Sequence, residues 1–417
     1  MQKISNPLRA AIAALNFQDT RREKLRALTR PEWEEFLPLC DRMRLTLPLR
    51  QICSDDLPEW VRSRVDKNIQ NNTVRLERIK VTYLELAHSL QENGIEHVVL
   101  KGFALWPSYM QDPRFRTQSD IDIFFPSDSV FHARDVLSTM GYEPIKGLEH
   151  QPTDHLPPML RKTDWKWRGD YFDPCIPISL ELHFRFWNET TTRLRPQGMD
   201  QFWVRRVERS LDGLNFPALH PVDSLGYAAL HVLHHLLLGG LIPYHIYELA
   251  WFLHVRAEDA QFWNDWKSLH DSSLRQLEAI AFHMATDWFG CRLPEAIEVE
   301  LQSLSPAVQQ WFQRYHDSPL NALTNPNKDA LWLHLSLLGS FRNQWAVFCG
   351  TLLPARVPPT EAIKHWSLRN VFGFIAYGLG RLAHHLRVLP ATLWEGVCWW
   401  WSQKRGPSLS SAAHTEV

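Results

Sequence analysis

Between residues 94 and 125 the apolar pattern of the chain changes period, and that change constrains the fold more than any other feature. Upstream, LPEWVRSRVDKNIQNNTVRLERIKVTYLELAHSLQENG (57–94) is apolar at helical spacing, charged on its other side, and closes at Gly94. Downstream, EHVVL (96–100) fits a short buried strand, and FALWPSYM (103–110) reads as a short helix. SDIDIFF (119–125) then alternates polar and apolar residues, the pattern of a strand with one buried face. SDSVFHARDVLSTMGY (127–142) reads as an N-capped helix closed by Gly141, and CIPISLELHFRF (175–186) alternates again as a third strand. From Pro221 onward nearly everything reads as amphipathic helix. The expected organisation is a helical N-terminal segment over 1–92, a small mixed α/β unit over 93–190, a helical domain over 191–403 and a disordered tail over 404–417.

The second strand carries the chemistry. Residues i and i+2 of a strand project to one side, so Asp120 and Asp122 share a face while Ile121 and Ile123 point into the core. Two carboxylates that close repel, and a divalent cation compensates them; oxygen ligands with open positions suit Mg²⁺. A pair of such ions about 4 Å apart can activate a hydroxyl and stabilise the leaving oxygen of an in-line displacement. Glu181, in the alternating run SLELHF, is the candidate third carboxylate, with His183 beside it on the same face. The alternative is a pair of ordinary solvated acids on an open sheet face. Three features favour the cation site: a preceding strand–helix unit, Lys101-Gly102 at its junction, and a second acid-bearing strand downstream. Unpaired N–H groups at a helix start attract phosphate, Gly102 permits close backbone approach, and Lys101 adds a point charge. Arg116 has two readings, a triphosphate contact or an ion pair with Asp112. Ser119 reads first as a strand-start residue and second as a phosphate contact.

VVLKGFAL…YMQDPRFRTQSDIDIFF resembles the uncharacterised bacterial nucleotidyltransferases of the DNA polymerase β-like superfamily. The matching positions are Lys101, Gly102, Ala104 and Leu105, then Arg116, Asp120 and Asp122, then Glu181, Leu182 and His183, with His231 and Glu248 at the helical half's histidine and acidic positions. The resemblance covers roughly residues 75–260. It implies an α+β fold, a small mixed-sheet polymerase-β-like palm between a helical N-terminal segment and a large all-helical C-terminal half. It also implies transfer of a nucleotidyl group from an NTP to an acceptor hydroxyl, with loss of pyrophosphate. On that reading Asp120, Asp122 and Glu181 hold two Mg²⁺ ions; Lys101, Gly102, Arg116 and Ser119 bind the nucleotide; His183 and His231 lie toward the acceptor. Three departures stand out: Lys-Gly replaces the superfamily's usual Gly-Ser or Gly-Gly, Gly102 lies 18 positions before Asp120 where roughly a dozen is usual, and Phe184 stands where tryptophan is common.

Other features narrow the function by exclusion. A formal net charge of −1 gives no bulk attraction to nucleic acid or to anionic membrane. The six cysteines are scattered without a CxxC pair, which suits neither a disulfide framework nor a zinc site. Residues 1–20 lack a signal-peptide core, and the apolar stretch 225–255 carries five histidines, Glu248 and a Gly-Gly break. A cytoplasmic protein without a membrane span is the expectation. His231 and His235 stand four apart on one helix but lack the HExxH glutamate, so buried hydrogen-bonded histidines or acceptor contacts are expected. His150 and His155 are loop histidines of lower rank. LWEGVCWWWSQKR (393–405) reads as a terminal helix packing its tryptophans inward. Two rival functions stay open: a catalytically inactive palm serving as a scaffold, and a kinase-like phosphotransferase. The acceptor, the NTP and the oligomeric state are not legible.

Overall fold

The period change at Gly94 is realised as the end of a 34-residue helix, Glu59–Glu92, followed by a turn through Gly94 at φ +66° into a sheet. The computed structural model describes residues 6–146, 153–352 and 386–401, so His150 and the 404–417 tail lie outside the described residues. β1 (Val98–Val99), β2 (Asp120–Phe124), β3 (Tyr142–Pro144), β4 (Met159–Arg161), β5 (Ser179–His183), β6 (Val207–Leu211) and β7 (Leu214–Ala218) form one mixed sheet. Its order is β3-β4-β5-β2-β1-β7-β6. β2 runs parallel to β5 and antiparallel to β1, and β1 runs parallel to β7.

The fold is the mixed α+β architecture expected, with one correction to its bounds. The sheet does not stop at residue 190: β6 and β7 come from the segment assigned to the helical domain. They are joined by Asp212 (φ +49°) and Gly213 (φ +83°), a two-residue turn of positive φ that matches the twist of a hairpin.

Period two separates the two faces of the central strands. Ile121, Ile123, Leu180 and Leu182 are fully buried against Ile79, Tyr83 and Leu86 of the long helix and Ala133 and Leu137 of the helix Val130–Thr139. Each such aliphatic side chain contributes about 2 kcal/mol of burial, which fixes the register, because a one-residue slip would put the acids into this core. The long helix also anchors loops near the site. Its Asn72 amide donates to the carbonyls of Arg114 and Arg116, both at 2.8 Å, and its buried Arg75 donates to the carbonyl of Tyr171.

The chain divides into two compact units, one running to Leu304 and one from Ser305 onward with Leu237–Gly239. The first contains the whole sheet. The second is helical among its described residues and includes Pro306–Tyr315, Ala330–Ser336 and Phe341–Leu352. In it Trp399 is buried near Tyr315, but Trp394, Trp400 and Trp401 are more than half exposed, so the terminal tryptophans do not all pack inward. Among the described residues no helix is long and apolar enough to cross a membrane.

Candidate active site

The parallel register of β2 and β5 sets Asp122 directly opposite Glu181, and Asp120 opposite Ser179. Paired residues of neighbouring strands share a face, so Asp120, Asp122, Glu181 and His183 all stand on the side away from the aliphatic core. That side opens into a cavity of about 310 Å³. Asp122, Glu181 and His183 each offer a ligand atom there, and the three atoms lie within 4.8 Å of one another. Asp120 lines the same cavity.

His183 stands among the acids. Its Nε2 lies 3.3 Å from Asp122 Oδ1 and 3.8 Å from Glu181 Oε2, and its Nδ1 lies 3.4 Å from Asp154 Oδ2. Asp154 arrives from a loop that is fastened to β5: its carbonyl accepts from Phe184 N–H at 3.0 Å, and Leu156 N–H donates to Leu182 at 2.9 Å. Nothing in the local sequence marks Asp154, because only this long-range pairing brings it in.

Lys101 and Arg116 are already committed. Lys101 Nζ bonds Asp122 Oδ1 at 2.8 Å. Arg116 Nε bonds Glu248 Oε1 at 2.7 Å with both side chains buried, while Asp112 bonds Arg114 instead, so the expected Arg116–Asp112 ion pair is not made. Gly102, at φ +72°, turns the chain beneath the side chain of Gln118; a Cβ there would fall 2.1 Å from Gln118 Nε2. That same amide donates to the Asp120 carbonyl at 2.6 Å. Ser119 accepts from Ser179 N–H at 3.1 Å through its carbonyl, as a ladder residue. Neither Gly102 nor Ser119 is among the described residues lining the cavity.

The rest of the wall is helical. His231 and His235 project from the helix Pro221–Leu238 and His245 from the helix Pro243–Val255, with the His231 ring 4.5 Å from His235 and 5.0 Å from His245. His245 Nδ1 lies 3.4 Å from Glu248 Oε2, which links it to Arg116 through one carboxylate. Arg44 completes this wall. Neither Arg44 nor His245 stands in a motif; only Glu248, one turn on from His245, carried a sequence signal.

Charge follows from this arrangement. Burial opposes ionisation of Asp122, yet the Lys101 ammonium and the His183 imidazole hold its carboxyl well below the usual range. Burial, then the charges of Asp122 and Asp120, pushes Glu181 up to about 8. Burial also opposes charge on His183, but its bonds to Asp122 and Asp154 carry it up to about 9. Across the cavity's helical wall, burial and mutual repulsion keep His231 and His235 neutral, the latter at about 3. A family model described as an uncharacterised nucleotidyltransferase matches residues 29–290, more than half of the chain. The chain belongs to that family. Every candidate site residue above falls within the matched span, and the family supports nucleotidyl transfer as the general chemistry. No curated protein and no solved structure matches the chain.

Proposed function

We propose that this nucleotidyltransferase moves an NMP group from an NTP to an acceptor hydroxyl, with Mg²⁺ and with loss of pyrophosphate. The observation that carries the reading is the Asp122–Glu181 register with His183 closing the group to within 4.8 Å, facing a cavity. Two carboxylates and an imidazole are a donor set that fits a divalent cation. Asp122, Glu181 and His183 would hold one ion, and Asp120, on the same strand face, would serve a second. Cations bound there supply charge to phosphoryl oxygens and acidify a bound hydroxyl.

The chain's own residues do the rest. Asp154 holds the His183 ring so that Nε2 faces the two acids, the carboxylate–histidine arrangement that orients metal-binding imidazoles. Lys101 keeps Asp122 ionised. Glu181 would give one oxygen to the cation and receive the acceptor's hydroxyl proton at the other. The acceptor oxygen bonds the α-phosphorus as the bond from that phosphorus to the α–β bridging oxygen breaks, and pyrophosphate leaves with the bridging oxygen.

A thermal-shift titration of each NTP's non-hydrolysable analogue with Mg²⁺ tests the reading: one nucleotide should raise the melting temperature, and Asp122→Asn should remove the effect. No stabilisation by any nucleotide would sink it. The Lys101–Asp122 ion pair favours a second reading, an inactive palm used as a scaffold, and that outcome is the one it requires. Mass spectrometry of the nucleotide products separates transfer with pyrophosphate release from a kinase-like reaction, which leaves a nucleoside diphosphate.

A further inference from the structure

We propose that the helical wall of the cavity, Arg44 with His235 and His245, is a phosphate seat that takes the terminal phosphates of the nucleotide. The identity of the ligand rests on the transfer reading above; the seat itself rests on the following geometry.

Arg44 sits just past the helix Arg30–Arg42 at φ +60°, in the left-handed region. Its N–H donates to the Asp41 carbonyl and Leu45 N–H donates to the Cys40 carbonyl, both at 3.0 Å. This is the helix stop in which glycine is the ordinary occupant, since a side chain there is strained. An arginine at such a position raises the question of what its side chain does. That side chain lines the cavity and, among the described residues, has no ion pair. Lys101 and Arg116, the cavity's other permanent cations, are bound to Asp122 and Glu248. Arg44 is therefore the cation left for an anionic ligand.

Its neighbours suit the same ligand. The rings of His235 and His245 lie nearly parallel at 6.3 Å. Gly240 makes room for His235, as a Cβ there would come 3.3 Å from His235 Nδ1. His245 donates Nδ1–H to Glu248, so its Nε2 carries a lone pair and donates to a phosphate oxygen only after taking up a proton, which the anion's charge favours. The helix Pro243–Val255 begins here, and its N-cap Ile242 lines the cavity; Pro243 has no N–H and His245 N–H bonds the Ile242 carbonyl at 3.0 Å, so this helix start offers the positive end of its dipole rather than a row of free N–H groups. The seat thus lies on a wall the Lys101-Gly102 motif does not supply.

Calorimetric titration of the full chain with pyrophosphate, tripolyphosphate and glycerol phosphate, in EDTA, tests the seat apart from any turnover. Wild type should bind the polyphosphates, and Asp122→Asn should bind them at least as tightly. Arg44→Gly should weaken them tenfold or more while melting higher than wild type, because glycine relieves the left-handed backbone. The pair His235→Gln with His245→Gln should weaken them as well. Unchanged binding by Arg44→Gly, loss on Lys101→Met alone, or no polyphosphate binding by wild type overturns the seat. Tighter Arg44-dependent binding of glycerol phosphate than of pyrophosphate would give the seat to a phosphorylated acceptor and overturn the nucleotide assignment. If polyphosphate binding depends on Arg44 but no NTP is turned over, the seat stands and the transfer reading fails; turnover indifferent to Arg44→Gly gives the reverse.

Discussion

Two clusters in the first unit are built from the same parts. In one, His183 lies between Asp122 and Asp154 with Glu181 nearby. In the other, His270 lies between Asp223 at 3.1 Å and Glu278 at 2.7 Å. Both imidazoles are carried up to about 9 against the effect of burial. The difference lies in what surrounds them. The His270 cluster is closed: Arg205 Nε bonds Asp223 at 2.9 Å, Trp266 Nε1 bonds Glu278 at 2.6 Å, and a Cβ on Gly226 would fall 2.5 Å from Glu278. The His183 cluster opens onto about 310 Å³ shared with Asp120, Arg44 and five further imidazoles. Perturbed proton affinity therefore does not by itself mark a site. Access to a space large enough for a ligand does.

The largest effect that separates the two clusters is on turnover. Asp122→Asn should lower nucleotide turnover by about a thousandfold or more with circular dichroism unchanged. Glu278→Ala should do the opposite, leaving a buried charge unpaired at a cost of about 3–5 kcal/mol in denaturant unfolding while cation binding persists. If Glu278→Ala spared stability and removed activity, the comparison would break.

What could be read in advance follows the same division. The isoleucines flanking Asp120 and Asp122 dictated a strand and a face, and the spacing of Glu181 and His183 placed them together on another strand. The partners were not legible, because they arrive across long sequence distances. Lys101 read as a point charge for phosphate and Arg116 as either a triphosphate contact or the partner of Asp112, yet Asp122 and Glu248 pair with them. Asp154 and Arg44 carry no local signal at all. β6 and β7 did carry one, the Asp212-Gly213 dipeptide between alternating runs, and it was outweighed by the helical pattern that follows Pro221.

Two smaller effects sharpen the contrast. His270 has a folded-state value of about 9 against 6.5 for the free side chain, so its contribution to stability is complete below 6.5 and is lost as pH rises through about 9. That loss amounts to at most about 3 kcal/mol. Denaturant midpoints measured from pH 6 to pH 10 should fall over that window in wild type and fall less in Glu278→Ala. The smallest effect belongs to Asp154→Asn, which should weaken cation binding by about 10–100-fold by loosening the His183 ring.

The central claim is that Asp122, Glu181 and His183 form one cation site. Electron paramagnetic resonance titration with Mn²⁺, as a probe for Mg²⁺, tests it without knowledge of nucleotide or acceptor. Wild type should bind Mn²⁺, and Asp122→Asn and Glu181→Gln should each abolish that binding while remaining folded. Equal Mn²⁺ binding in wild type and both variants, or none in wild type, would contradict the account.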